Sequence, residues 1–467
     1  MITSATNTLP GPRARFPGHL MFAFRSDPLG FLIRIAAKFG DRSAFGIGRM
    51  RFVLLNDPDL IREVIVAKAD QFQKSPALRQ ARVSIGDGLL TSEGDFHKRQ
   101  RKLSQPAFHP SRVAGYSAAM VRRSRQMAVA WRDGERIDLH EQMMKLTLRV
   151  VTETLFSASI EDEIDQIGQA MDVIVRMFSR ARNPLAPILN RLPLPSNRRF
   201  VRAQADVRRT VEHFVLQNRM AGVDRGDLLS TLVRARDTGG ETAVMSDDPG
   251  GAQDAASAQA MSDIQLRDEI VTLFIAGHET TANALTFALW LLSQNEDAAA
   301  KLYSEIDAAG AGRDLLSADL DHLPFTRAVV AEAMRLYPPA WVLMRQAKED
   351  VRLGSDSVRV PKMGIVIMSQ WITHRDPRWW PEPETFKPER WLDDTAKQNR
   401  PKYAYFPFGG GPRSCIGEAF AWTEAVLIIA TLLRDWRLEA ESPKPLRLTP
   451  TITLRPKDPV WMRLRRR

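Results

Sequence analysis

One cysteine stands in 467 residues, and that scarcity excludes more than any other feature of the composition. No disulfide can form within the chain. A structural zinc site or an iron–sulfur cluster would lack the several thiolates it commonly needs. A lone thiol fits a reducing compartment, and we expect a cytoplasmic protein. Long apolar runs are also missing. The N-terminus, MITSATNTLPGPRARFPGHL, holds neither a signal-peptide core nor an anchor helix. The most apolar later stretch, IVTLFIAGHETTANALTFALWLL, is interrupted by His278 and Glu279, a pair rarely tolerated at the centre of a bilayer span. It reads as a long helix buried in protein, so no membrane span is expected. Zinc-finger spacings, RNA-binding aromatic motifs and internal repeats are absent, which argues against nucleic acid as a partner.

What is present describes a globular chain. It is 44% hydrophobic and 26% charged, enough for a large core. The net charge of +11 and the terminal RLRRR leave an anionic membrane or an acidic protein as possible partners, beside the ordinary reading of a solvated basic surface. SAFGIG and RFVLLN read as two short strands with a turn at Arg49–Met50. Asp57 and Pro58 then open a helix as N-cap and first helical residue. Helical periodicity dominates to about residue 336. It is broken by a polar, Gly- and Asp-rich segment over 237–262, which reads as a surface loop. Ser262 and Gln265 form a capping box that starts the long helix. Pro-rich turns and short strands such as VRVP and GIVIMS follow, then a last helix after Cys415 and closing strands. Helices prevail, strands gather toward the two ends, and no linker divides the chain, so one large domain is expected.

Cys415 lies in FPFGGGPRSCIG. A lone cysteine is most often a small buried hydrophobe, and a nucleophile would need a nearby His base. A third possibility needs one thiolate alone: an axial ligand to haem iron, whose other four donors belong to the porphyrin. Glycines 409–411 allow close backbone approach to a flat ring and free N–H groups to point at sulfur. Arg413 can reach a propionate, and Gly417 permits tight packing where the next helix begins.

Other short patterns accompany the loop. AGHETT, Ala276–Thr281, is not a zinc protease motif, because the second His would fall at Ala282. Ala276, Gly277 and Thr280 share a helix face, and a hydroxyl beside an acid can relay protons. EAMR places Glu332 and Arg335 one turn apart, a pair that could be a simple surface salt bridge worth under about 1 kcal/mol. GDFHKRQRK sets His97 and Arg101 four residues apart, where a basic solvated face is the plain alternative.

The cysteine loop matches Phe-x-x-Gly-x-Arg-x-Cys-x-Gly at Phe408, Gly411, Arg413, Cys415 and Gly417. With AGHETT, EAMR, ETFKPERW and GDFHKRQRK in the right order, the chain resembles the cytochrome P-450 family from about Asp57 to Thr453. The resemblance implies a mainly α fold with small β-sheet regions. It is a single large triangular domain with haem between the long central helix and the cysteine-loop helix. We place that domain at 31–467, after an N-terminal extension at 1–30. Cys415 would be the axial ligand of haem b. His97, Arg101, Arg345 and Arg413 would hold propionates, while Phe408, Gly409, Gly417, Ala276 and Gly277 line the cofactor. Glu279 and Thr280 would deliver protons, and Glu332, Arg335 and Arg390 would form a buried structural triad.

The implied activity is monooxygenation of a hydrophobic substrate by dioxygen, with a lipid-like or terpenoid molecule favoured. Pocket candidates are Phe274, Ala276, Trp341, Val342, Leu343 and Thr451, together with the segments 72–90 and 449–452 and an apolar mouth at 177–195. Electrons are expected from a separate ferredoxin or flavodoxin-type donor and its reductase. NAD(P)H would then serve only indirectly. Lys98, Arg99, Lys102 and Lys402 form the candidate docking patch for an acidic donor. The rival readings are a peroxide-driven peroxygenase or non-oxygenating haem-thiolate enzyme, a haem-binding sensor and a cysteine hydrolase.

Overall fold

Capping residues and apolar faces set the helical frame of the computed structural model. It describes residues 9–156, 164–178, 189, 192–221, 226–234, 261–310, 312–355, 357–442 and 444–467. The helices that build the site are α1 (Gly94–Ser104), α2 (Pro110–Ala130), α3 (Leu139–Phe156), α4 (Ile164–Phe178), α5 (Pro195–Ala221), α6 (Asp263–Ser293), α7 (Pro324–Leu336) and α8 (Glu418–Asp435). The start of α6 is fixed by the Ser262–Gln265 capping box. Ser262 Oγ accepts the Gln265 N–H at 3.3 Å, and Gln265 Oε1 accepts the Ser262 N–H at 2.9 Å.

Almost every side chain of α6 from Leu266 to Leu292 is buried, polar ones such as Asp268, Glu269, His278 and Glu279 among them. It crosses α3 so closely that a Cβ on Gly277 would stand 3.2 Å from Val151 Cγ2. Phe274 stacks on Phe156 at 4.5 Å and 9° and faces Phe214 of α5 at 6.3 Å. One large cluster joins α2, α3, α6, α7 and α8.

Small sheets flank this helical body. The largest has five strands in the order β1-β2-β8-β5-β3, with β1 at Arg42–Ile47, β2 at Met50–Leu55, β3 at Phe72–Lys74, β5 at Leu343–Ala347 and β8 at Ile365–Met368. A three-stranded sheet joins β4 (Arg136–Asp138), β12 (Trp461–Arg466) and β9 (Trp436–Ala440). β6 (Val351–Leu353) pairs β7 (Val358–Val360), and β10 (Leu448–Pro450) pairs β11 (Leu454–Pro456). Ile47 pairs with Met50, so the first hairpin turns at Gly48–Arg49, one residue earlier than the expected Arg49–Met50. Gly48 takes φ 59°, the left-handed geometry that a two-residue hairpin turn demands.

Within the expected N-terminal extension, His19–Ser26 is helical, and a second helix covers Pro28–Phe39. Leu20, Phe31, Leu32 and Ile35 join Phe45, Phe52, Leu54 and Trp341 in a separate apolar cluster. Residues 237–260 of the expected polar loop and most of the apolar mouth at 177–195 lie outside the described residues. Among the described residues, no helix is long and apolar enough to cross a membrane.

The terminal arginines are engaged within the fold. Arg463 meets Glu441 at 3.1 Å, Arg465 meets Glu439 at 3.0 Å and Arg467 meets Asp307 at 2.7 Å. Acids on a neighbouring strand, its end and a helix thus engage Arg463, Arg465 and Arg467, while Arg466 lies over the Trp436 ring.

Candidate functional site

The cysteine loop is shaped by close approach to other protein segments. Gly411 takes φ 66°, and a Cβ there would fall 2.0 Å from Ile65 O; a Cβ on Gly410 would fall 2.7 Å from Tyr403 Cε1. These two glycines thus serve packing beneath the loop. Gly409, at φ 72°, has only Leu343 Cδ1 near, at 3.6 Å. The Cys415 N–H donates to Phe408 O at 2.9 Å, which closes the loop. Phe408 packs on Trp422 with centroids 5.8 Å apart.

Cys415 keeps accessible surface, yet the protein packed around it pushes the thiol up to about 11. The Gly417 N–H and the Arg101 charge act against that burial, while Glu418 adds to it. They do not overcome it. A thiolate here needs a Lewis acid, and a metal centre would supply one.

Three arginines and one histidine converge beside the loop. Arg101 donates to Ser414 O at 2.7 Å and to Ser414 Oγ at 3.3 Å, tying α1 to the residue before the cysteine. Arg413 pairs with Glu93 and donates to Ser92 O at 3.4 Å. Arg345 projects from β5 and has Met344 O at 3.1 Å; burial, then the Arg413 charge, lower it to about 10. His97 is 6% exposed, with Ser92 Oγ 3.2 Å from Nδ1 and no partner on Nε2. Burial, then Lys74, Arg413 and Arg101, drive it down to about 3. It is therefore a neutral ring, not the cation expected from its place among arginines. Its Nε2 is buried without a hydrogen-bond partner.

A cysteine sulfur short of a Lewis acid, an unpartnered imidazole nitrogen and three half-buried guanidinium groups suit a flat metal macrocycle with two carboxylates. These residues fit haem.

Behind the loop, the structure brings Glu332, Arg335 and Arg390 together, with Glu332 and Arg335 fully buried. Glu332 accepts from Arg335 Nε at 2.9 Å and Nη2 at 2.8 Å, from Arg390 Nε at 3.0 Å, from Lys387 N at 3.0 Å and from Trp391 Nε1 at 2.9 Å. Trp391 also packs on Tyr405 at 4.5 Å, whose hydroxyl donates to Ala331 O at 3.1 Å. His374 accepts the Phe406 N–H at 3.0 Å on its Nε2. The network thus reaches the first residues of the cysteine loop through aromatic packing.

On α6, Ala276, Gly277 and Thr280 keep partial exposure, and Thr280 Oγ1 donates to Ala276 O at 2.8 Å. Gly277 is absent of side chain for the sake of α3, as its contact with Val151 indicates. Glu279 is 2% exposed and turns toward the C-terminal hairpin, where it accepts from Thr453 Oγ1 at 2.5 Å. His278 donates from Nδ1 to Phe274 O at 2.6 Å, a fully internal bond.

Among the pocket candidates, Val342, Leu343 and Thr451 are half-buried. Phe274 and Trp341 are only 1% and 3% exposed; Phe274 belongs to the aromatic stack, and Trp341 donates from Nε1 to Thr451 O at 3.1 Å. Packing claims both rings.

Four ionisable groups had almost no signal in the sequence; Lys74, Glu269 and Glu424 are buried and Glu93 is half-buried. Lys74 donates to Leu89 O and Ser92 O, both at 2.7 Å, and burial lowers it to about 7. Glu93 accepts the Lys74 N–H at 2.6 Å besides pairing with Arg413. Glu269 accepts the Leu89 N–H at 3.0 Å, and burial raises it to about 7. Glu424, fully buried on α8, is raised to about 8 by burial. Thr281 favours its charge but spends its own hydroxyl hydrogen on Gly277 O at 3.2 Å, so both carboxyl oxygens lack a hydrogen bond. The one available signal was an acid inside an apolar run, as in EAFAWTEAVLIIA.

Residues 9–462 match the family Cytochrome P450. Cyclooctat-9-en-7-ol 5-monooxygenase of Streptomyces melanosporofaciens is 36% identical over 435 residues, 93% of this chain and 89% of the relative. Cyclooctatin synthase of the same organism is 36% identical over 439 residues, 94% and 91% of the two chains. Pentalenene oxygenase of Streptomyces avermitilis is 32% identical over 440 residues, 94% and 92%.

Proposed function

The chain belongs to the cytochrome P450 family, and from that premise we propose a monooxygenase that oxidises a largely hydrocarbon, terpenoid substrate with electrons from a separate acidic donor protein. The observation that carries the reading is the cysteine loop: the Cys415 N–H closes it on Phe408 O, Arg101 ties Ser414 to α1, and Arg413 pairs with Glu93 beside it. Haem b is the proposed cofactor, and when bound it supplies the activation of dioxygen and the insertion of one oxygen atom.

The chain's own residues do the remaining work. Cys415 would hold the haem iron through its sulfur, with the Gly417 N–H steadying the thiolate charge. Arg101, Arg345 and Arg413 supply charge-assisted donors to the propionates, with the neutral His97 adding a ring N–H. Ala276 keeps the helix face beside the cofactor open. Thr280 and Glu279 move protons toward the oxygen that leaves as water. Half-buried Val342 and Leu343 offer apolar contact to a substrate body. The relatives named for cyclooctat-9-en-7-ol, cyclooctatin and pentalenene support an unsaturated hydrocarbon skeleton as the substrate class.

Lys98, Lys102 and Lys402 are exposed, with Arg99 half-buried between the first two. Lys98 meets Asp95 at 3.0 Å, but both side chains are largely exposed, so the pair is weak and leaves the lysine able to face a partner. An acidic ferredoxin or flavodoxin, itself reduced at the expense of NAD(P)H in a reducing cytoplasm, fits this surface.

The test starts with the reduced carbon monoxide adduct of haem-supplemented protein. A thiolate-type spectrum that is lost in Cys415→His is the expected result, and colourless wild-type protein would end the proposal. Terpenes, fatty acids and steroids are then compared for the spin-state change on binding. Turnover with a donor protein is compared with turnover driven by hydrogen peroxide.

A further inference from the structure

Glu279 is not bonded to Thr280, the hydroxyl next to it in sequence. Thr280 gives its hydrogen to Ala276 O, while the Glu279 carboxylate is held from the opposite side by the strand that closes the C-terminal hairpin. Thr453 Oγ1 donates to Oε1 at 2.5 Å, and Arg455 Nε lies 3.7 Å from the same oxygen. Arg455 faces a second acid as well: its Nη1 donates to Asp172 Oδ1 at 2.9 Å, and Asp172 belongs to α4. The side chain of Arg455 is 11% exposed, that of Asp172 31% and that of Glu279 3%. A charged chain therefore runs from a partly exposed residue on α4, through one arginine, to a buried carboxylate on α6. Arg455 Nη2 is buried without a hydrogen-bond partner, so the guanidinium is committed to these two acids by position and has one donor in reserve.

We propose that Arg455 is the positioning residue of the Glu279 carboxylate and that, through Asp172, it couples this acid to α4. The inference rests on the proton-delivery reading of Glu279 given above. Its physical basis is that a buried carboxylate separated from its arginine bears the desolvation cost of the unpaired charge, so it stays where the arginine stays. Arg455 in turn stays where Asp172 holds it. Any displacement of α4 then reaches the acid through two ion pairs instead of through the long helix.

The consequence is measurable as a partition of electrons. Productive turnover combines substrate R–H, dioxygen, two electrons and two protons to give R–OH and water, the electrons coming from the donor protein. Misdirected protons end the same two-electron reduction as hydrogen peroxide, with the substrate unchanged. Arg455→Met removes the guanidinium while keeping the stem, and Asp172→Asn releases its far end.

Three measurements decide the matter on haem-loaded protein. First, the peroxide-to-product ratio is expected to rise roughly tenfold in Arg455→Met and by a smaller factor in Asp172→Asn, within the range a displaced general acid can cost. Second, the substrate-induced spin change should give a dissociation constant altered by less than about threefold in both, because each side chain is committed to an ion pair and not to an apolar contact. Third, backbone hydrogen exchange over residues 164–178 should speed up about fivefold in either variant, and no further in the double variant, if the two residues form one coupled tie. An unchanged ratio in Arg455→Met protein that still binds haem and substrate overturns the proposal. So does additive exchange in the double variant. Should Arg455→Met fail to fold, Arg455→Lys and Asp172→Asn carry the same comparison. Failure of the wild type to turn over with any donor would instead strike the monooxygenase reading, while the exchange measurement would still judge the coupling.

Discussion

Burial opposes the charged form of both Cys415 and Glu424, and only the first belongs to the proposed haem site. For Glu424 the consequence falls on stability. Its proton is held in the folded chain up to about 8, against an ordinary value of 4.5 once unfolded. The stability linked to that proton is therefore full below about pH 4.5 and is lost as pH rises through about 8. Glu424→Gln should flatten this decline: between pH 6 and 9 its melting temperature should fall by less than that of the wild type in paired thermal scans. Equal slopes would mean that Glu424 titrates normally. Glycine chemistry gives a second residue-scale expectation. Gly411→Ala meets the Ile65 carbonyl at 2.0 Å, a backbone atom that cannot yield, whereas Gly409→Ala meets only the tip of Leu343. Both pay for a left-handed φ of about 1 kcal/mol. Gly411→Ala should therefore lose haem and stability far more severely, as read by haem absorbance after purification and by urea midpoints.

At the scale of elements, the decisive contacts join helices to one another and to the cysteine loop. α6 approaches α3 because Gly277 has no side chain opposite Val151. Gly277→Ala should cost about 1–3 kcal/mol by overpacking, and Val151→Ala in the same chain should restore part of it, a double-mutant cycle that urea unfolding can close. The Glu332 carboxylate accepts hydrogen bonds from two arginines, one tryptophan and one backbone N–H. Glu332→Gln leaves two buried guanidinium groups short of charge and should cost roughly 3–5 kcal/mol, with haem retention falling in parallel. Trp391→Phe keeps the ring on Tyr405 but removes one donor to a charged acceptor, and should cost about 1.5–3 kcal/mol. Sequence spacing placed Glu332 and Arg335 one turn apart without telling whether that turn faced water or core. Trp391, Tyr405 and His374 had no signal at all, because their partnership with the triad joins segments distant in the chain.

Across the whole molecule, the basic side chains differ in how firmly acids hold them. The terminal arginines are bound to Glu441, Glu439 and Asp307, while Lys98, Lys102 and Lys402 remain exposed. Turnover with an acidic donor should therefore weaken steeply with salt, and Lys98→Glu with Lys102→Glu should remove most of that dependence. Charge reversal at Arg463 and Arg465 should leave the salt response unchanged and lower stability instead. Steady-state rates over an ionic-strength series, with thermal scans alongside, separate the two sets.

By itself the sequence determined the helical class, the cap of the long helix, the family and the identity of Cys415 as the distinctive thiol. These follow from local rules: capping, periodicity and a motif whose residues are contiguous in the chain. Only the tertiary structure decided that His97 is neutral, that Gly410 and Gly411 answer to Tyr403 and Ile65, that Phe274 and Trp341 are spent on packing, and that Glu279 is held by Thr453 and Arg455. Each of these depends on groups far apart in the chain and close in space, where burial and neighbouring charge, not residue type, fix what a side chain can do.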